Sequence, residues 1–137
     1  MQSLGWIEGI HVVDNGVSTT PDSTLAALES VPEPCTLMLG GQAKEGLSWN
    51  ELARQVKARG TRVVAYGASA QQIHWAVIQA GAEAWVETNL EQATHRAQDE
   101  TPAGGTLLFS PACASFDEFL NFEKRSLAFR SYLRGYQ

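Results

Sequence analysis

Cysteine is nearly absent from this sequence: Cys35 and Cys113 are the only two in 137 residues. They lie far apart, with no C-x-x-C pair and no cluster of histidines, so no zinc site is readable. Positive charge is also scarce. Ten Lys and Arg stand against fifteen Asp and Glu, the formal net charge is −5, and the pI is near 5.1. Binding to nucleic acid needs a basic stripe, yet Lys44 is the only Lys or Arg before Arg54. No apolar run approaches the roughly 18 residues of a membrane-spanning helix. The first residues lack the basic flank and apolar stretch of a secretory signal. The expected setting is therefore a reducing cytoplasm with free thiols.

What is present suits one packed domain. The chain is 44% hydrophobic and 18% charged, enough for a single core. Short apolar runs alternate with amphipathic stretches. His11 to Asp14 reads as a strand, and Asn15 to Thr20 as a polar turn. Pro21 to Ser30 reads as a helix, with Thr20 as N-cap and Pro21 at the first helical position. Cys35 to Leu39 is a buried strand ending in Gly40-Gly41. Ser48-Trp49-Asn50-Glu51 forms a capping box for a helix that reaches about Arg59 and stops at Gly60. Arg62 to Tyr66 is a strand, Ser69 to Ala80 a helix, and Ala84 to Val86 a short strand. Asn89 opens another helix, and Thr106 to Phe109 is the last strand. Ser115-Phe116-Asp117-Glu118 is a second Ser-x-x-Glu box, expected to open the terminal helical region with Ser115 as N-cap. There Phe116, Phe119 and Leu120 read as core, and Phe122 as an exposed or site-facing ring. Strands alternating with helices imply an α/β, Rossmann-like, three-layer domain. Its sheet is mostly parallel, with helices on both faces. Ligands of such sheets bind at the carboxyl ends of the strands. In this chain those ends are residues 15–20, 40–46, 67–70 and 110–115.

Self-contained catalysis finds little support. Residues 41–48 suggest a P-loop, but G-x-x-x-x-G-K-S/T needs a lysine where Leu47 stands. No G-x-G-x-x-G follows any strand. His11, His74 and His95 are paired with no nucleophile, and Cys113, between two alanines, reads as a small packing residue. No residue is singled out as catalytic and none as a metal ligand.

Three stretches carry a family resemblance. Residues 107–125 (LLFSPACASFDEFLNFEKR) closely resemble the last strand-loop-helix of the UDP-N-acetylmuramoyl-L-alanine:D-glutamate ligases (the MurD family). Its recurring pattern there is S-P-A-C-A-S, then D-x-F, then N-F-E-x-R. Residues 37–44 (LMLGGQAK) are similar to the family's L-L-G-G-x-x-K. Residues 14–21 (DNGVSTTP), leading into Thr24 to Leu28, resemble the N-D-S-K-A-T-N loop that Mur ligases share. The resemblance implies that residues 1–137 form one C-terminal, glutamate-binding domain, without the UDP-sugar-binding and ATP-binding domains.

The chemistry implied is ATP-dependent amide formation in peptidoglycan biosynthesis. ATP with Mg2+ activates the carboxylate of UDP-N-acetylmuramoyl-L-alanine as an acyl phosphate, and the amine of D-glutamate attacks it. On the same resemblance, Thr19 and Lys44 hold one glutamate carboxylate. Ser115, with the backbone near Phe116 and Phe122, holds the other. Asn15 matches a family Asp that reaches the nucleotide ribose. The chain departs from the common loop at Asn15, Gly16 and Val17, where Asp, Ser and Lys are usual. ATP and Mg2+ are expected to belong to the missing domains, so this domain alone binds no cofactor and is inactive alone. The alternative is a free-standing small-ligand-binding or regulatory α/β module derived from such a domain.

Overall fold

The computed structural model describes residues 1–116 and 118–136. The elements follow in the order β1 (Gln2–Ile7), β2 (Ile10–Asp14), α1 (Pro21–Glu29), β3 (Cys35–Gly40), α2 (Asn50–Arg59) and β4 (Arg62–Tyr66). After them come α3 (Ala70–Gln79), β5 (Ala84–Glu87), α4 (Leu90–Glu100), β6 (Thr106–Ala112) and α5 (Phe122–Tyr132). Among the described residues six strands form one sheet in the order β1-β2-β6-β3-β4-β5. Every pairing from β2 to β5 is parallel, and β1 alone runs antiparallel, at one edge. The expected α/β architecture is the one observed.

The near-continuous apolar runs of β3 and β6 follow from burial on both faces: all their residues are inaccessible, as parallel strands under helices must be. Side chains alternate between the faces. Val13, Leu37, Leu39, Val63, Ala65 and Leu108 pack in one cluster with residues of α1, α2 and α3. Val12, Met38, Val64, Tyr66, Leu107 and Phe109 pack in the other with residues of α4 and α5. Phe109 stacks on Phe129 of α5, with ring centroids 4.3 Å apart. Thr20 caps α1, its Oγ1 accepting from Ser23 N at 3.3 Å, with Pro21 in the first turn. Gly60 ends α2 in the left-handed conformation at φ 75°, and Asn89 caps α4.

Several expectations change. β1 has no counterpart in the sequence reading, because Ser3, Gly5 and a mostly exposed edge hide its alternation. It exists through pairing with β2 across a two-residue turn, Glu8-Gly9, in which both φ angles are positive (51° and 83°). That is the turn geometry favoured in hairpins. β6 continues past Phe109 to Ala112, with a register shift against β3 between Met38 and Gly40.

The Ser48 box is not closed. Ser48 Oγ accepts from Asn50 N, while the Glu51 carboxylate takes Arg54 and Gln55. Those contacts hold the Glu51 carboxyl below the usual range, the Arg54 bond first. Nor does Ser115 cap the terminal helix. The cap is Asn121, whose Oδ1 accepts from Lys124 N at 2.8 Å. Ser115 O instead closes a single turn from Glu118 N and Phe119 N, and the Glu118 carboxylate accepts from Leu90 N at the start of α4. Among the described residues of 115–121 none is helical, and the expected apolar stripe does not form. Phe116 is 71% and Leu120 78% exposed, and only Phe119 packs against the core. The Asp117 position of that box lies outside the described residues.

Candidate functional site

β6, last in the sequence, is inserted between β2 and β3. The loops leaving β2, β6 and β3 therefore sit side by side at the carboxyl edge, where α/β sheets bind ligands. The loop after β3 is bonded directly to the loop after β6. Gln42 N donates to Ala114 O at 2.9 Å, and Ala114 N donates to Gln42 O at 3.2 Å. Lys44 lies two residues beyond that bridge and Ser115 one. The approach is so close that a Cβ on Gly41 (φ 118°) would fall 2.3 Å from Ala114 O. Glycine is required there on both counts.

The loop after β2 is tied in from the other side. Asn15 N donates to Phe109 O at 2.7 Å, and Asn15 Nδ2 donates to Ser110 Oγ at 2.9 Å. A Cβ on Gly16 would fall 1.9 Å from Ser126 Oγ of α5, which is why glycine stands where the related loops carry a serine. Asp14 braces the same corner. Its carboxylate accepts from Gly16 N at 2.8 Å and from Arg130 Nε at 2.8 Å.

Arg125 bonds the loops after β2 and β6 and lies against the loop after β3. It is 1% exposed. Its Nη1 donates to Cys113 O at 2.8 Å, and its Nη2 to Gly16 O at 3.2 Å and Ser18 O at 3.3 Å. A Cβ on Gly41 would meet that same Nη1 at 3.1 Å. One planar fork thus ties the loop that carries Thr19 to the loop that carries Ser115, and the latter is bonded in turn to the loop of Lys44. Arginine suits the position because it remains charged when buried and presents several donors in fixed directions. In the sequence Arg125 stands within the N-F-E-x-R motif with no sign of this role. A lone arginine on a polar helix looks like a surface residue until tertiary packing buries it.

The predicted site residues divide by exposure. Thr19 and Lys44 are exposed on their loops, and Ser115 is 3% exposed. Phe122, first residue of α5, is 39% exposed. With Val17 it lines a shallow groove of about 310 Å3 shared with Ser126, Leu127 and Arg130. Asn15 is buried, and its amide is engaged inside the domain. A larger groove of about 520 Å3 lies between α2 and α3, lined by Trp49, Gln71, Gln72 and Trp75 among others. It contains none of the predicted residues.

Both cysteines are buried with free thiols. Cys35 starts β3, at the opposite edge of the sheet, and burial, reinforced by the Glu33 carboxylate, pushes its pKa up to about 12. Among the described residues no three His, Cys, Asp or Glu converge as a metal site. No described helix is long and apolar enough to cross a membrane.

Known proteins of similar sequence are ligases. The chain is 36% identical over 136 residues to the UDP-N-acetylmuramoylalanine–D-glutamate ligase of Gloeobacter violaceus, covering 97% of this chain and 31% of that enzyme. It is 36% identical over 131 residues to the corresponding ligase of Paraburkholderia phymatum, covering 96% and 26%. The chain thus spans about three tenths of the length of these relatives. Among solved structures, the murein peptide ligase Mpl of Psychrobacter arcticus has the same fold at a TM-score of 0.57 and 13% identity, covering 94% of this chain and 29% of that one. No family model matches the chain.

Proposed function

Because this chain is a Mur ligase-family domain, related along nearly its whole length to UDP-N-acetylmuramoylalanine–D-glutamate ligases, we propose that it positions D-glutamate for such a ligase. The observation that carries the reading is the convergence of the loops of Thr19, Lys44 and Ser115, the first and last held by the Arg125 guanidinium and the last two by the Gln42–Ala114 bridge. The ligand has two carboxylates, and at that edge this acidic chain exposes Lys44, while Arg125 is buried among loop carbonyls and Arg130 is paired with Asp14. Lys44 and the Thr19 hydroxyl hold one carboxylate. Ser115, the backbone around Phe116 and the N-terminal turn of α5 beginning at Phe122 hold the other. The helix end suits an anion because its first N–H groups have no helical partner and the dipole is positive there.

In this reading ATP and Mg2+ belong to the rest of the ligase and supply the activated acyl phosphate. This domain's contribution is orientation: a glutamate held at both carboxylates presents its amine in a fixed direction, which lowers the entropic part of the barrier. The Asn15 amide fits a ribose contact poorly, since it is buried and bonded to Ser110 Oγ. The nucleotide is therefore assigned no contact with it.

A chimera tests the proposal. Joined to the UDP-sugar-binding and ATP-binding domains of a relative, the chain should support D-glutamate addition. Lys44→Ala should raise the D-glutamate KM about tenfold to a hundredfold, the worth of one charge-assisted hydrogen bond. The melting temperature should barely move, because Lys44 is exposed. An unchanged D-glutamate dependence would reject the reading.

A further inference from the structure

Beneath the loop at residues 15–20 lies a chain of buried hydroxyls that the D-glutamate reading does not use. Thr24, on the first turn of α1, and Ser110, on β6, are both fully inaccessible, and Ser18 is 1% exposed. Thr24 Oγ1 donates to Ser110 O at 2.8 Å, and Ser110 Oγ donates back to Thr24 Oγ1 at 3.0 Å. Ser110 Oγ also accepts from Asn15 Nδ2 at 2.9 Å. Ser18 Oγ lies 2.7 Å from Thr24 Oγ1 and 2.7 Å from Ser23 Oγ.

The protons can be assigned. The one hydroxyl proton of Thr24 goes to Ser110 O, so Ser18 is the donor in its 2.7 Å contact with Thr24, which shares the Ser18 proton with a longer approach to Thr20 O at 3.3 Å. Thr24 Oγ1 then makes one donation and two acceptances, the full capacity of a hydroxyl. In the relay Ser18–Thr24–Ser110–Asn15 donation therefore converges on Thr24 from both ends, from Ser18 directly and from Asn15 through Ser110, and Thr24 passes its own proton to Ser110 O.

We propose that Thr24 and Ser110 are positioning residues, which lock the loop bearing Thr19 to the end of β6 that leads to Ser115. Ser18 is the neighbour of Thr19, and Ser110 stands five residues before Ser115. The relay therefore fixes one side of the site relative to the other in a buried region, where a satisfied network is rigid and a broken one costly. It also accounts for the amide at Asn15: its partner is Ser110, within the domain. The consequence for D-glutamate rests on the proposed function; the locking of the two loops does not.

Hydrogen exchange of the 137-residue chain, read residue by residue by NMR, decides the matter. Thr24→Val keeps the shape of the side chain and removes the hydroxyl, whereas Thr24→Ser keeps the hydroxyl. Thr24→Val should speed exchange at Ser18 N and at Ala114 N about tenfold beyond any change at Val64 and Ile73 in the core, the worth of about one hydrogen bond. Thr24→Ser should restore both. Ser110→Ala gives a second cut through the same relay, with the same pattern expected. Acceleration at Ser18 alone, equal acceleration throughout the chain, or failure of both cut variants to fold would overturn the proposal. A D-glutamate titration separates the two readings. Shifts at Thr19 and Ser115 that are identical in wild type and Thr24→Val would leave the proposed function standing and remove the positioning role. Absence of shifts in wild type would count against the isolated domain as a glutamate binder, while the exchange data would still judge the relay.

Discussion

Replacing Arg125 with methionine gives the sharpest test of how the loops are held. Methionine keeps much of the apolar stem and removes the guanidinium. The structure assigns that group three carbonyl acceptors, at 2.8, 3.2 and 3.3 Å. A hydrogen bond from a charged donor contributes about 1.5–3 kcal/mol. The bond to Cys113 O is short and unshared, so we assign it about 2 kcal/mol. The other two share Nη2 and are longer, and about 1 kcal/mol each is reasonable. Against the resulting loss of about 4 kcal/mol stands the relief of no longer burying a charge, which can offset part of it. The three carbonyls remain where they are, however, so the offset is incomplete and a net loss of about 3 kcal/mol is expected. For a domain of this size that is a fall of roughly 10 °C in Tm. Arg125→Lys should fall between wild type and Arg125→Met, because one ammonium cannot span three acceptors arranged for a planar fork. Urea unfolding with a shared m value measures all three proteins. A loss below about 0.5 kcal/mol for Arg125→Met, the range of an ordinary surface change, would refute the argument that Arg125 clamps the loops.

Asn121→Ala should cost about 1 kcal/mol by removing the true cap of α5, measured by the same urea melts; no loss would return the cap to Ser115. The raised pKa of Cys35 sets a pH dependence. Because the folded value is raised from 9.0 to about 12, its contribution to stability is complete below about pH 9 and is lost as pH rises from there toward 12. Unfolding free energy should fall by up to about 1.4 kcal/mol per pH unit in that window, and Cys35→Ala should remove that component in parallel melts at pH 8, 9.5 and 10.5. The isolated chain, given UDP-N-acetylmuramoyl-L-alanine, D-glutamate and ATP with Mg2+, should release no phosphate in a steady-state assay. Turnover that survives repurification would contradict the division of labour proposed for the domains.

The sequence by itself determined the class of fold. The apolar runs at residues 37–39 and 63–66 suit strands buried on both faces of a parallel sheet, and the Thr20, Gly60 and Asn89 signals bound their helices through local hydrogen bonds and backbone sterics. Local chemistry of this kind is complete within a few residues and needs no partner from elsewhere in the chain. It also carried the family motifs, and with them the choice of Thr19, Lys44 and Ser115. At the terminal helix the local signal misled. The Ser115 box reads as a cap, and only the packing of α5 against β6, through Phe129 on Phe109, places the cap at Asn121. Tertiary structure alone decided the rest. Inserting β6 between β2 and β3 makes neighbours of loops nearly a hundred residues apart. The same insertion buries Arg125 among their carbonyls and closes the hydroxyl relay from Ser18 to Asn15. The bonds of Arg125 to Gly16 and Ser18, and of Ser110 to Thr24 and Asn15, join distant segments, so their energy exists only once the sheet order is set.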